Sequence, residues 1–204
     1  MRKLIFTALI FTVCALPAWA QGGSTNQDGE EYSKASFFAG YSYNRPDVAS
    51  GDSPNLNGFD AQVTGYINKY FGIKGDVSGH YGSETFQTFC VQTPCPNVKA
   101  RTQFYNFLAG PEVRAQNKSR VTPFAHGLAG AAYLRRNVSF SGLAGTLPDS
   151  TNDSVRFALA LGGGLDVRVN DHLDVRVIQV DYNPVFFDGS VAHGARVSVG
   201  LVFK

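Results

Sequence analysis

Hydrophobic and polar residues alternate with a period of two over long stretches of the chain. Residues 71–81 set Phe71, Ile73, Val77 and Tyr81 against Lys74, Asp76, Ser78 and His80, the pattern of a strand with one apolar and one polar face. Between 154 and 169, Val155, Phe157, Leu159, Leu161, Leu165 and Val167 stand opposite Arg156, Ala158, Ala160, Gly162, Gly164, Asp166 and Arg168. A helix would mix these sets. Similar alternation over 35–43, 58–67, 101–114, 121–136, 173–183 and 194–203 brings the expected number of strands to eight.

The connections between these segments alternate in length. Residues 44–57, 83–100 and 137–153 are long and 184–193 intermediate, and they hold Pro, Ser, Gly and Asp clusters such as Ser50-Gly51-Asp52-Ser53-Pro54. Residues 68–70 and 170–172 are short and 115–120 moderate, and Asn68-Lys69 and Asn170-Asp171-His172 suit tight reversals. Long loops at one end and short turns at the other are the asymmetry of an up-and-down barrel that crosses a membrane.

Alternation alone leaves open which face is outside, since a soluble ligand-binding barrel shows the same period with its faces exchanged. The polar face of 154–169 decides for a lumen: Ala158, Ala160, Gly162 and Gly164 follow one another there, and small residues suit a narrow barrel interior. The same faces carry both signs of charge near the short-turn end. Lys74, Asp76, Glu112, Arg114, His126, Arg156, Asp166, Arg168, Asp174, Arg176 and Arg196 are the expected interior network, since a basic residue facing the bilayer midplane costs about 2–4 kcal/mol. Residues 173–183 break the rule, because Gln179 and Asp181 share parity with Val175 and Val177. Either a bulge or emergence above the bilayer accounts for that. Tyr41, Tyr43, Tyr70, Phe71, Tyr81, Tyr133 and Phe203 fall at strand ends on the apolar faces, as an interfacial aromatic girdle requires.

Composition narrows the class further. The 204 residues are 44% hydrophobic and only 17% charged, with 22 Gly, against roughly 25% charged residues in soluble domains. Arg2 and Lys3, the apolar run Leu4–Leu16 and Ala18-Trp19-Ala20 read as a secretory signal peptide over residues 1–20. Its removal takes two basic residues from a chain of formal charge +2, so the mature chain is neutral and nothing favours a nucleic-acid partner. Residues 21–34 read as a flexible periplasmic lead-in, and 35–204 as the barrel. Cys90 and Cys95 lie in one loop of an exported chain and are expected to form a local disulfide.

Together with the eight alternating segments, Phe107-Leu-Ala-Gly-Pro-Glu-Val-Arg114, Pro123-Phe-Ala-His-Gly-Leu-Ala-Gly130, Val175-Arg-Val-Ile-Gln-Val-Asp-Tyr-Asn-Pro184 and Arg196-Val-Ser-Val-Gly-Leu-Val-Phe203 resemble the small eight-stranded outer-membrane barrels typified by the transmembrane domain of outer membrane protein A. The resemblance implies an all-β, antiparallel barrel in the bacterial outer membrane, in contact with its lipid and inserted by the barrel-assembly machinery. Family members end in an aromatic residue read by that machinery, whereas here Lys204 follows Phe203.

Four functions then compete. The leading expectation is a non-enzymatic monomeric barrel, without cofactor or metal, that serves the envelope or an unidentified surface ligand through its external loops. A small or gated channel is the second, although eight strands leave an interior just wide enough to be filled by side chains. A lipid-modifying enzyme is the third, with His126 as the histidine lying well within a strand. The fourth is a soluble periplasmic ligand-binding barrel.

Overall fold

In the computed structural model, which describes residues 33–47, 54–87, 97–115, 119–141 and 150–204, the alternating segments close into a ring. β1 (Ala35–Asp47) pairs with β2 (Leu56–Tyr66) on one side and with the end of the chain, β9 (Ser190–Phe203), on the other. Between them run β3 (Phe71–Gln87), β4 (Asn97–Arg114), β5 (Val121–Ser141), β6 (Ser150–Arg168) and β7 (Leu173–Tyr182), each antiparallel to the next. A short β8 (Val185–Phe187) bridges β6 and β9 beyond the end of β7. The β1–β9 ladder, from Phe37↔Phe203 to Asp47↔His193, seals the ring, which removes the sheet edges that an open sheet would present.

The faces are inverted relative to a water-soluble protein. Phe37, Phe59, Val63, Ile73, Val77, Phe107, Val113, Leu161 and Leu201 are exposed on the outside, while Lys74, Asp76, Glu112, Arg114, Asp166, Arg176 and Arg196 are buried within. The soluble arrangement, with an apolar interior and a polar exterior, is therefore not the one this chain adopts. The small residues of β6 are explained by what faces them. A Cβ at Gly162 would meet Val180 O at 2.2 Å and Asp181 Oδ1 at 2.3 Å, and one at Gly164 would lie 2.9 Å from the ring of Phe124.

Strand β7 carries the bulge. Asp166 pairs with Arg176, but Leu165 pairs with Ile178, and the β9 ladder likewise jumps from Arg176↔Gly200 to Gln179↔Ser198. Val177 and Ile178 both face outward, 53% and 41% exposed, after which Gln179 and Asp181 turn inward and are fully buried. One extra residue thus switches the parity of the strand. Emergence above the bilayer is not the explanation.

The strands are longer than their alternation predicts, because hairpins continue above the apolar band where both faces are polar and the pattern fades. Residues 83–87, 97–100, 137–141 and 150–153 are strand rather than loop. The expected loop 184–193 is corrected most: β8 and the start of β9 form a tight hairpin closed by Phe187↔Ser190. Its turn uses Gly189 at φ 87, a left-handed conformation that costs glycine little. The described residues thus hold nine strands, and the ring itself is eight strands round, as the alternation predicts.

Candidate functional site

Because inward-facing positions on every strand point at one narrow axis, residues far apart in sequence meet there. Arg196 on β9 donates to Asp76 on β3 at 2.9 and 2.8 Å, to Asp181 on β7 at 2.9 Å and to the Ser78 hydroxyl at 3.0 Å. Arg176 donates to both oxygens of Asp166, at 2.8 and 3.1 Å, and to Gln62 and Gln179 at 2.7 Å. Arg114 bridges Glu112 at 3.2 Å and Asp166 at 2.7 Å. Lys74 pairs with Glu112 and also reaches His126 Nδ1 at 3.2 Å, while His126 Nε2 lies 3.0 Å from Asp181.

Removing so many charges from water is costly, and multiple partners per charge are what offset it. Aromatic rings help: the Arg176 guanidinium lies 4.3 Å from the Phe38 centroid and 4.2 Å from that of Phe124. At the short-turn end, Lys204 pairs with Asp174 at 2.5 Å and its backbone N–H donates to His172 O at 3.0 Å. The residue that follows the terminal aromatic is thus tied into the barrel floor.

Toward the other end the interior becomes apolar. Leu56, Phe104, Leu108, Leu128, Ala132, Ala158, Ala160 and Val185 form one buried cluster, with Leu134 and Phe187 packed against it. An ionic layer below and this apolar layer above fill the lumen with side chains.

Two of the residues expected in the interior network stand apart from it. Arg156 is at the upper rim, one third exposed and paired at 2.8 Å with the open Asp188, because β6 runs on past the apolar cluster. Arg168 is half-buried at the short-turn end of β6, its backbone N–H bonded to Arg120 O at 2.8 Å. Conversely, Asp60, Gln62, Tyr66, Gln179, Asp181 and Ser198 are buried and hydrogen-bonded within the barrel. Strict parity along 58–67 would have found Asp60, Gln62 and Tyr66, whereas the bulge disguises Gln179 and Asp181.

Of the aromatic positions, Tyr41, Tyr70, Tyr81 and Phe203 are exposed, and Tyr43, Phe71 and Tyr133 half-buried. Tyr105 joins them: it packs edge-on to Tyr81 at 5.7 Å and tilted against Tyr133 at 6.3 Å, making a continuous row across β3, β4 and β5. Cys90 and Cys95 lie outside the described residues.

His80 and His193 are held in contrasting surroundings. His80 lies mid-strand, since β3 continues to Gln87, and its Nε2 is 2.9 Å from the Ser42 hydroxyl. This serine and histidine are fully buried, and His80 Nδ1 has no hydrogen-bond partner among the described residues. His193, the last residue of the expected loop 184–193, is exposed within β9 and stacks on Tyr182 at 5.8 Å.

Strands β3 to β6 rise above the rest of the ring. The β2–β3 ladder stops at Asn57↔Tyr81, yet β3 continues to Gln87, about 20 Å further at the usual rise per residue. On the far side, β6 starts at Ser150 but meets β8 only at Phe157↔Phe186. Residues 82–87 and 150–156 consequently form the two edges of a four-stranded wall, each with one flank unpaired among the described residues.

Comparison with known proteins agrees with this architecture. The attachment invasion locus protein Ail of Yersinia pestis superposes with a TM-score of 0.54 at 19% identity, over 83% of this chain and 97% of that one. Neisserial surface protein A does so with a TM-score of 0.51 at 15% identity, over 86% and 99%. No curated protein matches the chain in sequence. The sequence profile of the outer membrane protein beta-barrel domain matches residues 6–203, and the chain belongs to that family.

Proposed function

We propose that this protein is a non-enzymatic outer-membrane barrel that meets partners at the cell surface through the wall formed by β3 to β6. In this reading the short turns face the periplasm and the wall stands outside the cell. The observation that carries it is the unequal strand height: residues 82–87 and 150–156 present backbone donors and acceptors along flanks that are unpaired among the described residues, and such edges accept an extended segment of another protein as an added strand. The solved relative Ail is named as an attachment and invasion protein, and surface contact is the corresponding role for this chain. The filled lumen speaks against a permanent pore, and the burial of Ser42 and His80 against hydrolysis of lipid.

The test is to shorten the wall, replacing residues 84–99 and 137–151 with tight turns, and to compare adhesion of cells displaying either form to immobilised extracellular matrix proteins. Adhesion is expected to fall while the heat-dependent gel mobility of the barrel persists. Equal adhesion by both forms would remove the proposal.

A further inference from the structure

We propose that the outer flank of the wall holds a binding site for the phosphate ester of an outer-leaflet glycolipid headgroup, which rests on the outward orientation of the wall proposed above. An open depression of about 460 Å³ lies on the outer surface where β2 stops covering β3, lined by Asn55, Asn57, Tyr81, Ser83, Arg101 and Gln103 among others. That volume suits a phosphorylated sugar.

The hydrogen-bonding pattern of the walls selects an anion. The Tyr43 hydroxyl donates to Asn55 Oδ1 at 2.5 Å, and the Tyr41 hydroxyl donates to Asn57 Oδ1. Each amide oxygen is therefore engaged, and what each amide has left to offer is its NH2 group. The Tyr105 hydroxyl donates to the Tyr81 hydroxyl at 2.9 Å, so the remaining proton of that pair is Tyr81's own, also a donor. Arg101 is the one charged residue lining the depression among the described residues, and no carboxylate accompanies it. Glu84, next along β3 from Ser83, falls on the opposite face of the strand, and Asp153 is met by Arg135 at 3.7 Å. Donors converging around a single guanidinium complement a phosphate.

Its height selects a lipid as the carrier. Below the Asn57↔Tyr81 pair the same outer surface becomes apolar, through Phe59, Val77 and Phe107, all exposed. The row of Tyr81, Tyr105 and Tyr133 marks that boundary, where amphipathic rings lie between headgroups and hydrocarbon. An anion seated at Arg101 is thus positioned for its acyl chains to run down the apolar band.

The test is native mass spectrometry of the full-length protein in detergent micelles, titrated with bis-phosphorylated lipid A, its dephosphorylated form, or inorganic phosphate. The intact chain is expected to retain phosphorylated lipid A. Arg101→Ala lowers that affinity at least about tenfold, the scale of a charge-assisted hydrogen bond, and Arg101→Lys recovers part of it. Dephosphorylated lipid A binds equally weakly to all forms. Retention unchanged by Arg101→Ala, in protein that keeps its heat-dependent gel shift, overturns the site. Inorganic phosphate binding as tightly as the lipid overturns the choice of carrier. A Ser83→Cys chain with Cys90 and Cys95 replaced by serine tests the orientation separately: an impermeant maleimide is expected to label intact cells, and labelling only after permeabilisation overturns the placement of the wall and the site with it.

Discussion

Arg196 and Asp76, 120 residues apart in sequence, form a two-pronged ion pair inside the barrel, with Nη1 to Oδ1 at 2.9 Å and Nη2 to Oδ2 at 2.8 Å. Asp181 holds the remaining side of the guanidinium. The contact joins β3 to β9 across the lumen and so cross-braces strands that share no ladder.

Removing one partner strands the other in a dry interior. Asp76→Ala is expected to destabilise the barrel by about 3–5 kcal/mol, and the double variant Asp76→Leu with Arg196→Met by less than the sum of the two single variants. Urea unfolding in lipid vesicles, followed by gel mobility and circular dichroism, reads the difference. Additive losses would show that the two side chains act independently.

The apolar layer containing Leu56, Phe104 and Leu128 closes the lumen above the charges. In planar bilayers the intact protein is therefore expected to show no steady, large single-channel steps. Leu128→Ala removes a side chain only 1% exposed and is expected to cost about 2–5 kcal/mol by the cavity it leaves. Large steady conductance in the intact protein would contradict a lumen filled by side chains.

Outward position decides the cost of a charge. Val77→Arg, in the apolar band, is expected to lose about 2–4 kcal/mol of folding free energy in vesicles, whereas Ser83→Arg, above it, loses about 0–1 kcal/mol. Equal losses at the two sites would place the boundary of the bilayer elsewhere.

The bulge at Val177 and Ile178 sets the direction of everything after it in β7. Deleting Ile178 removes the extra residue, and simple alternation after Val177 then keeps Gln179 and Asp181, which donate to and accept from groups inside, facing the lumen. A heat-modifiable folded band is therefore expected from this deletion, and its loss would show that the bulge itself, rather than the facing it produces, is required. Val177→Ala, which keeps the count, is expected to fold.

Glycine is required at some positions and incidental at others. Gly162→Ala forces a methyl against Val180 O and Asp181 and is expected to cost about 1–3 kcal/mol, as overpacking does. At Gly65 nothing lies within 4 Å of an added Cβ, so Gly65→Ala is expected to stay within about 0.5 kcal/mol of the parent. Chemical denaturation of both variants in vesicles separates the two.

Much of this was legible in the alternation of residues, because the side a strand residue faces follows from backbone geometry that repeats every second residue. That local rule was enough for a barrel with apolar residues outward, for Lys74, Glu112 and Arg176 inside it, and for the small-residue face of β6. It stopped where the repeat is interrupted or both faces are polar. Val177 and Ile178 hid the inward turn of Gln179 and Asp181, and the rise of β3 to β6 carried no apolar stripe to announce it. Which inward charges meet depended on the stagger of the closed ring, which brings Arg196 to Asp76 and leaves Arg156 at the rim with Asp188. Facing is a property of two neighbouring peptide units and is written in the sequence. Partnership depends on the register of every ladder around the ring, and only the closed tertiary structure decides it.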